Sequence, residues 1–68
     1  MIDLEELSKK VLMFRATRKM SIDKLAKSLG VSFGTLEKII RKQSVKETTR
    51  IYVWEKLDIL EKLEKEGE

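Results

Sequence analysis

Lysine and arginine are the side chains best equipped for chemistry in this 68-residue chain, and eleven of the fifteen fall between residues 9 and 46. There they meet only Asp23 and Glu37, which leaves that segment at +9, while residues 1–8 and 47–68 each carry −3. Ammonium and guanidinium groups bind phosphate and carboxylate oxygens. A cationic block between two acidic ones is therefore the pattern of a protein that sets one face against a polyanion. On charge alone, a solvated lysine-rich surface looks the same. The chain has no cysteine and no histidine. That excludes thiolate and imidazole metal sites, disulfides and histidine-based acid–base pairs. No nucleophile–base pair is present, and so short a chain has little room for a concave pocket. The expectation is a binding protein without a cofactor, not an enzyme.

These charges have to be positioned by helices. The organising stretch is 21–42, SIDKLAKSLGVSFGTLEKIIRK. Ser21 and Ser32 each precede an apolar-periodic run, where a serine hydroxyl accepts the free amides of a first helical turn. Gly30 follows Leu29, where a chain leaving a helix needs a positive φ. The spacing predicts helices over 22–29 and 33–42 around the turn Gly30-Val31-Ser32, with Ala26 small enough to let the two backbones approach. Gly34 lowers helix stability and makes sense where something must come close.

On the N-terminal side, Asp3 and Glu6 fit a capping box. Leu4, Leu7, Val11 and Phe14 then form one helical stripe that ends near Ala16 or Thr17. Leu12 and Met13 lie off it, either under the second helix or partly exposed. Arg15, Arg18 and Lys19 cluster where the helix dipole is negative, and the same three suit phosphate. On the C-terminal side, Ser44-Val45-Lys46-Glu47 reads as a second capping box, which starts a final helix over 45–66. That helix is apolar on two sides. Val53, Trp54, Leu57 and Leu60 suit the domain's own core. Tyr52, Ile59 and Leu63 either meet a second copy or form a partly exposed edge, and small helical domains commonly gain stability by association. The opposite assignment, with Trp54 and Leu57 facing the partner, stays open. The end of the chain, 64–68, is expected to fray. The fold class is all-α: one domain, 1–68, a small bundle of four helices around a central helix-turn-helix. No apolar run approaches the roughly 20 residues that span a bilayer, and the N-terminus is acidic, unlike a signal peptide. A cytoplasmic, nucleoid-associated location is expected.

The residues Leu25-Ala26, Leu29-Gly30-Val31-Ser32, Leu36 and Ile39 resemble the helix-turn-helix of phage Cro and repressor proteins, the DNA-binding family that includes xenobiotic-response-element-type regulators. The likeness runs back through Phe14-Arg15 and Lys19-Met20-Ser21, and forward through 44–50. That last stretch also resembles the headpiece of lactose-repressor-type regulators. Roughly residues 10–50 are covered. Where family members often carry glutamine, at the start of the first motif helix and early in the second, this chain has Ile22, Phe33 and Gly34.

The resemblance implies a lambda-repressor-like fold whose second motif helix enters the DNA major groove. Ser32, Phe33, Gly34, Thr35, Glu37, Lys38 and Arg41 then lie near base edges. Lys38 and Arg41 suit guanine, Glu37 suits cytosine, and Phe33 either meets a thymine methyl or belongs to the core. Arg15, Arg18, Lys19, Ser21, Lys42, Gln43, Ser44 and Lys46 suit phosphate. A homodimer joined through Tyr52, Ile59 and Leu63 would place two recognition helices about 34 Å apart on an inverted-repeat operator. No small-molecule ligand is implied. The expected function is a small dimeric repressor of phage, plasmid or mobile-element type. The alternatives are a DNA-bending, excisionase-like accessory factor and an antirepressor-type interaction module.

Overall fold

The computed structural model describes residues 2–66, which form four helices and no strand: α1 (Leu4–Arg18), α2 (Ile22–Leu29), α3 (Phe33–Ile40) and α4 (Glu47–Glu66). The all-α class read from the sequence is the architecture observed. Three starts follow local chemistry. The Asp3 carboxylate accepts from the Glu5 amide at 3.0 Å, Ser21 from the Lys24 amide at 3.1 Å, and Ser32 from the Thr35 amide at 3.2 Å. Each satisfies an amide that has no partner inside its helix. The reciprocal bond expected from Glu6 is not made among the described residues.

Three helices end in the same way. A left-handed residue follows each of α1, α2 and α3: Lys19 (φ 53), Gly30 (φ 75) and Lys42 (φ 60). Paired backward bonds close each end. Met20 donates to the Arg15 carbonyl, Val31 to Ala26 and Gln43 to Lys38, each beside a bond from the left-handed residue itself. This is the Schellman arrangement, which satisfies the last carbonyls of a helix. It explains two departures from the expected boundaries. α1 runs on to Arg18. α3 stops at Ile40, so Arg41 and Lys42 lie in the turn rather than in the helix.

The start of α4 also corrects the sequence reading. The first intrahelical bond joins the Arg50 amide to the Lys46 carbonyl. The helix therefore begins at Glu47, two residues later than expected, and Ser44 makes no capping bond among the described residues. The Arg50 guanidinium donates to the Val45 carbonyl and holds the incoming chain there. At the other end α4 is helical through Glu66, within the segment expected to fray; Gly67 and Glu68 lie outside the described residues.

The core is one cluster: Leu7, Val11 and Phe14 of α1, Leu25, Ala26 and Leu29 of α2, Leu36 and Ile39 of α3, and Val53 and Leu57 of α4. Burying a large apolar side chain stabilises by about 1.5–3 kcal/mol. That is how two eight-residue helices, too short to persist alone, are held. α1 packs on α3 and α4, and α2 packs on α3 and α4. Ala26 is buried, as its size predicts. Leu12 and Met13 are exposed, which settles their open assignment. Ser8 is the one buried polar side chain among the described residues, and its hydroxyl donates to the Ile40 carbonyl at 3.1 Å. That bond fastens the end of α3 to α1.

Candidate nucleic-acid interface

The start of α3 offers little polar chemistry. The Ser32 hydroxyl accepts the Thr35 amide and lies 2.8 Å from the Thr35 hydroxyl, so the two groups close on each other. Between them stands Phe33, 46% exposed, and that exposure removes it from the core. Gly34 is bare: a β-carbon there would meet nothing within 4 Å. One turn on, Glu37 pairs at 3.8 Å with Arg41, the residue that follows α3. Lys38 is exposed.

The turn after α3 brings further cations to this face. Thr35, Lys38, Ser44, Val45, Lys46 and Thr49 line one open concavity. A neighbouring one is lined by Ser32, Thr35, Thr48, Thr49 and Tyr52 with the turn residues Gly30 and Val31. Thr48 and Thr49 were not among the residues singled out by sequence. Two adjacent hydroxyl residues following Lys46-Glu47, in the first turn of a helix, were the available signal. Lys42 and Gln43 lie exposed in the same turn.

A second group forms at the end of α1. Arg15, Lys19 and Ser21 line one shallow depression with Ala16 and Met20. The Arg15 Nε is buried without a hydrogen-bond partner among the described residues. Arg18 does not join this group. Its guanidinium makes two 2.6 Å bonds to the Glu64 carboxylate and stacks 3.6 Å from the centre of the Phe14 ring. The hydrogen bond from Arg18 holds the Glu64 carboxyl below the ordinary glutamate range. The same bond, then the charges of Glu64 and Glu61, raise the guanidinium above its usual value against the opposing effect of burial.

Charge pairing therefore divides the basic segment. Lys10 is bound to Asp58 at 2.7 Å and lies over the Trp54 ring; Arg18 is bound to Glu64; Lys27 lies 3.6 Å from Asp23. Lys9, Arg15, Lys19, Lys24, Lys38, Lys42 and Lys46 make no ion pair among the described residues. The unpaired cations therefore lie on and just after α1 and on α2 as well as on α3 and in the turn before α4, where Lys38, Lys42 and Lys46 follow one another along the chain.

The three residues expected at a dimer seam are exposed: Tyr52 by 45%, Ile59 by 50% and Leu63 by 58%. Their intramolecular neighbours differ. Tyr52 turns its hydroxyl onto Gly30, and Leu63 borders Phe14, Met20 and Leu60. Leu57 is fully buried, so it is not free to face a partner, and Trp54 packs partly against the core. No described helix is long and apolar enough to cross a membrane. No protein family, characterised protein or solved structure matches the chain when it is compared with them.

Proposed function

We propose that the chain is a sequence-specific, double-stranded DNA-binding regulator, a small repressor that occupies an operator and blocks polymerase. On this reading α2 and α3 are a helix-turn-helix of the Cro and repressor type, and α3 lies in the major groove. The observation that supports it most is the open concavity in which Lys38 and Lys46 converge with Thr35, Ser44 and Thr49, beside the bare backbone of Gly34. Unpaired ammonium groups and hydroxyls on one face suit a row of phosphates, and an exposed helix face suits a groove. Arg15, Lys19 and Ser21 would grip one strand; Lys42, Gln43, Ser44 and Lys46, joined by Thr48 and Thr49, would grip the other. Lys38 and Arg41 are the polar base readers, with Arg41 leaving Glu37 to do so. Arg18 is left out because Glu64 already holds it.

A two-fold pair would double the few base contacts that one such module can make. Ile59, with Leu63 and Tyr52 on either side of it along α4, is the proposed seam. The test is selection of bound duplexes from a random library at fixed salt, with stoichiometry on the winning site measured by sedimentation. The expected result is a two-fold symmetric site holding two chains, and a monomeric Ile59→Lys variant that stays folded but binds the site more weakly. Absence of enrichment and of salt-dependent binding would overturn the reading.

A further inference from the structure

We propose that Phe33 reads the C5-methyl group of a pyrimidine, so that the chain favours thymine and 5-methylcytosine over their unmethylated counterparts. This rests on the reading of α3 as a groove-bound helix. The chain has two phenylalanines, and they are treated differently. Phe14 is buried at 4% exposure, whereas Phe33 stands 46% exposed on the first residue of α3. Its ring leaves apolar area in water that the core does not require.

The surroundings of the ring narrow what it can meet. The hydroxyls of Ser32 and Thr35 are bound to each other at 2.8 Å, so part of their hydrogen-bonding capacity is already used at the helix start. Gly34 adds no side chain, and apart from its two chain neighbours and its own helix backbone nothing lies within 4 Å of where a β-carbon would stand. Phe33 is thus the one large exposed side chain at the start of α3. Lys38 follows on the same helix and Arg41 just after its end, and Lys46 joins Lys38 in the adjoining concavity. That charge favours a polyanion over an apolar protein partner or a neutral surface. In the major groove of DNA the apolar group on a base edge is the pyrimidine C5-methyl. Thymine and 5-methylcytosine present it at the same ring position, and uracil and cytosine lack it. The ring therefore recognises the methyl, while cations elsewhere on the face recognise the backbone and guanine.

The experiment uses the duplex that the full chain selects. Each thymine is replaced singly by deoxyuridine, and each cytosine singly by 5-methylcytosine, at constant salt. Burying one methyl corresponds to about a four-fold change in affinity. One thymine per half-site is expected to show that loss with deoxyuridine. Placing cytosine there weakens binding, and 5-methylcytosine restores about the same factor relative to cytosine. Phe33→Ala abolishes the methyl dependence, and Phe33→Leu keeps it. Circular dichroism checks that both variants fold, as an exposed position predicts. Tight binding with the same deoxyuridine penalties in the parent and in Phe33→Ala overturns the methyl reading alone. No salt-dependent binding of any duplex overturns the groove-bound helix and this inference together.

Discussion

The Tyr52 hydroxyl lies 2.8 Å from the point where a β-carbon on Gly30 would stand. The contact seats α4 on the turn between α2 and α3, so the helix that follows the basic face also fixes its geometry. Gly30 answers to two demands at once: a φ of 75° and a close neighbour.

Gly30→Ala is expected to lower stability by about 1–2 kcal/mol, mainly through the left-handed backbone. The phenol is the far end of a flexible side chain and swings aside at small cost. Tyr52→Phe in the Gly30→Ala background should therefore recover only a minor part. Urea melts of the two variants and the double variant measure both contributions.

Lys19 and Lys42 occupy left-handed positions where glycine is the easier residue. Strain kept in place by a functional side chain is a recurrent feature of binding sites. Lys42→Gly should raise stability by up to about 1 kcal/mol while weakening DNA binding on every sequence. The slope of log affinity against log salt should become shallower by about 0.9 if one phosphate contact is lost. A thermal melt and a salt titration on one preparation test the two halves separately.

Arg18 holds the Glu64 carboxyl below its ordinary value. A carboxyl with a depressed folded pKa stabilises the fold above its unfolded pKa, about 4.3. That contribution fades as pH falls from there through the lower folded value. Glu64→Gln should therefore be less stable than the parent at neutral pH, with the gap closing in acid. Carboxyl NMR titration should place the Glu64 midpoint below the usual glutamate range, and Arg18→Met should return it upward. An unshifted midpoint in the parent would show that the pair does not persist in solution.

Gly34 has open space beside it. Gly34→Ala removes no internal contact and improves helix propensity, so the melting temperature should rise, by up to about 1 kcal/mol of stability. If a base edge or sugar approaches that point, the same methyl weakens DNA binding. A variant more stable and equally tight on DNA would move the close approach away from Gly34.

The sequence by itself determined what depends on near neighbours. Ser21, Ser32 and Gly30 mark the bounds of α2 and the start of α3 through bonds that reach only a few residues, and the apolar spacing names the buried residues Leu25, Ala26, Leu29, Leu36 and Ile39. Local pattern was less decisive where two local rules competed. Ser44 looks like a cap, yet the chain starts α4 from Lys46, with Arg50 holding the Val45 carbonyl. The periodicity carries α3 to Lys42, but backward bonds close it at Ile40. Tertiary structure alone decided the availability of Lys10 and Arg18, whereas Lys27 and Arg41 meet acids four residues away. Lys10 and Arg18 belong to the same basic segment as Lys38 and Lys46, but acids 48 and 46 residues away neutralise them. No local pattern records such a pairing, because it forms only when α4 folds back along α1. Net charge is a property of composition, whereas the charge a face presents depends on which partners the fold brings within reach.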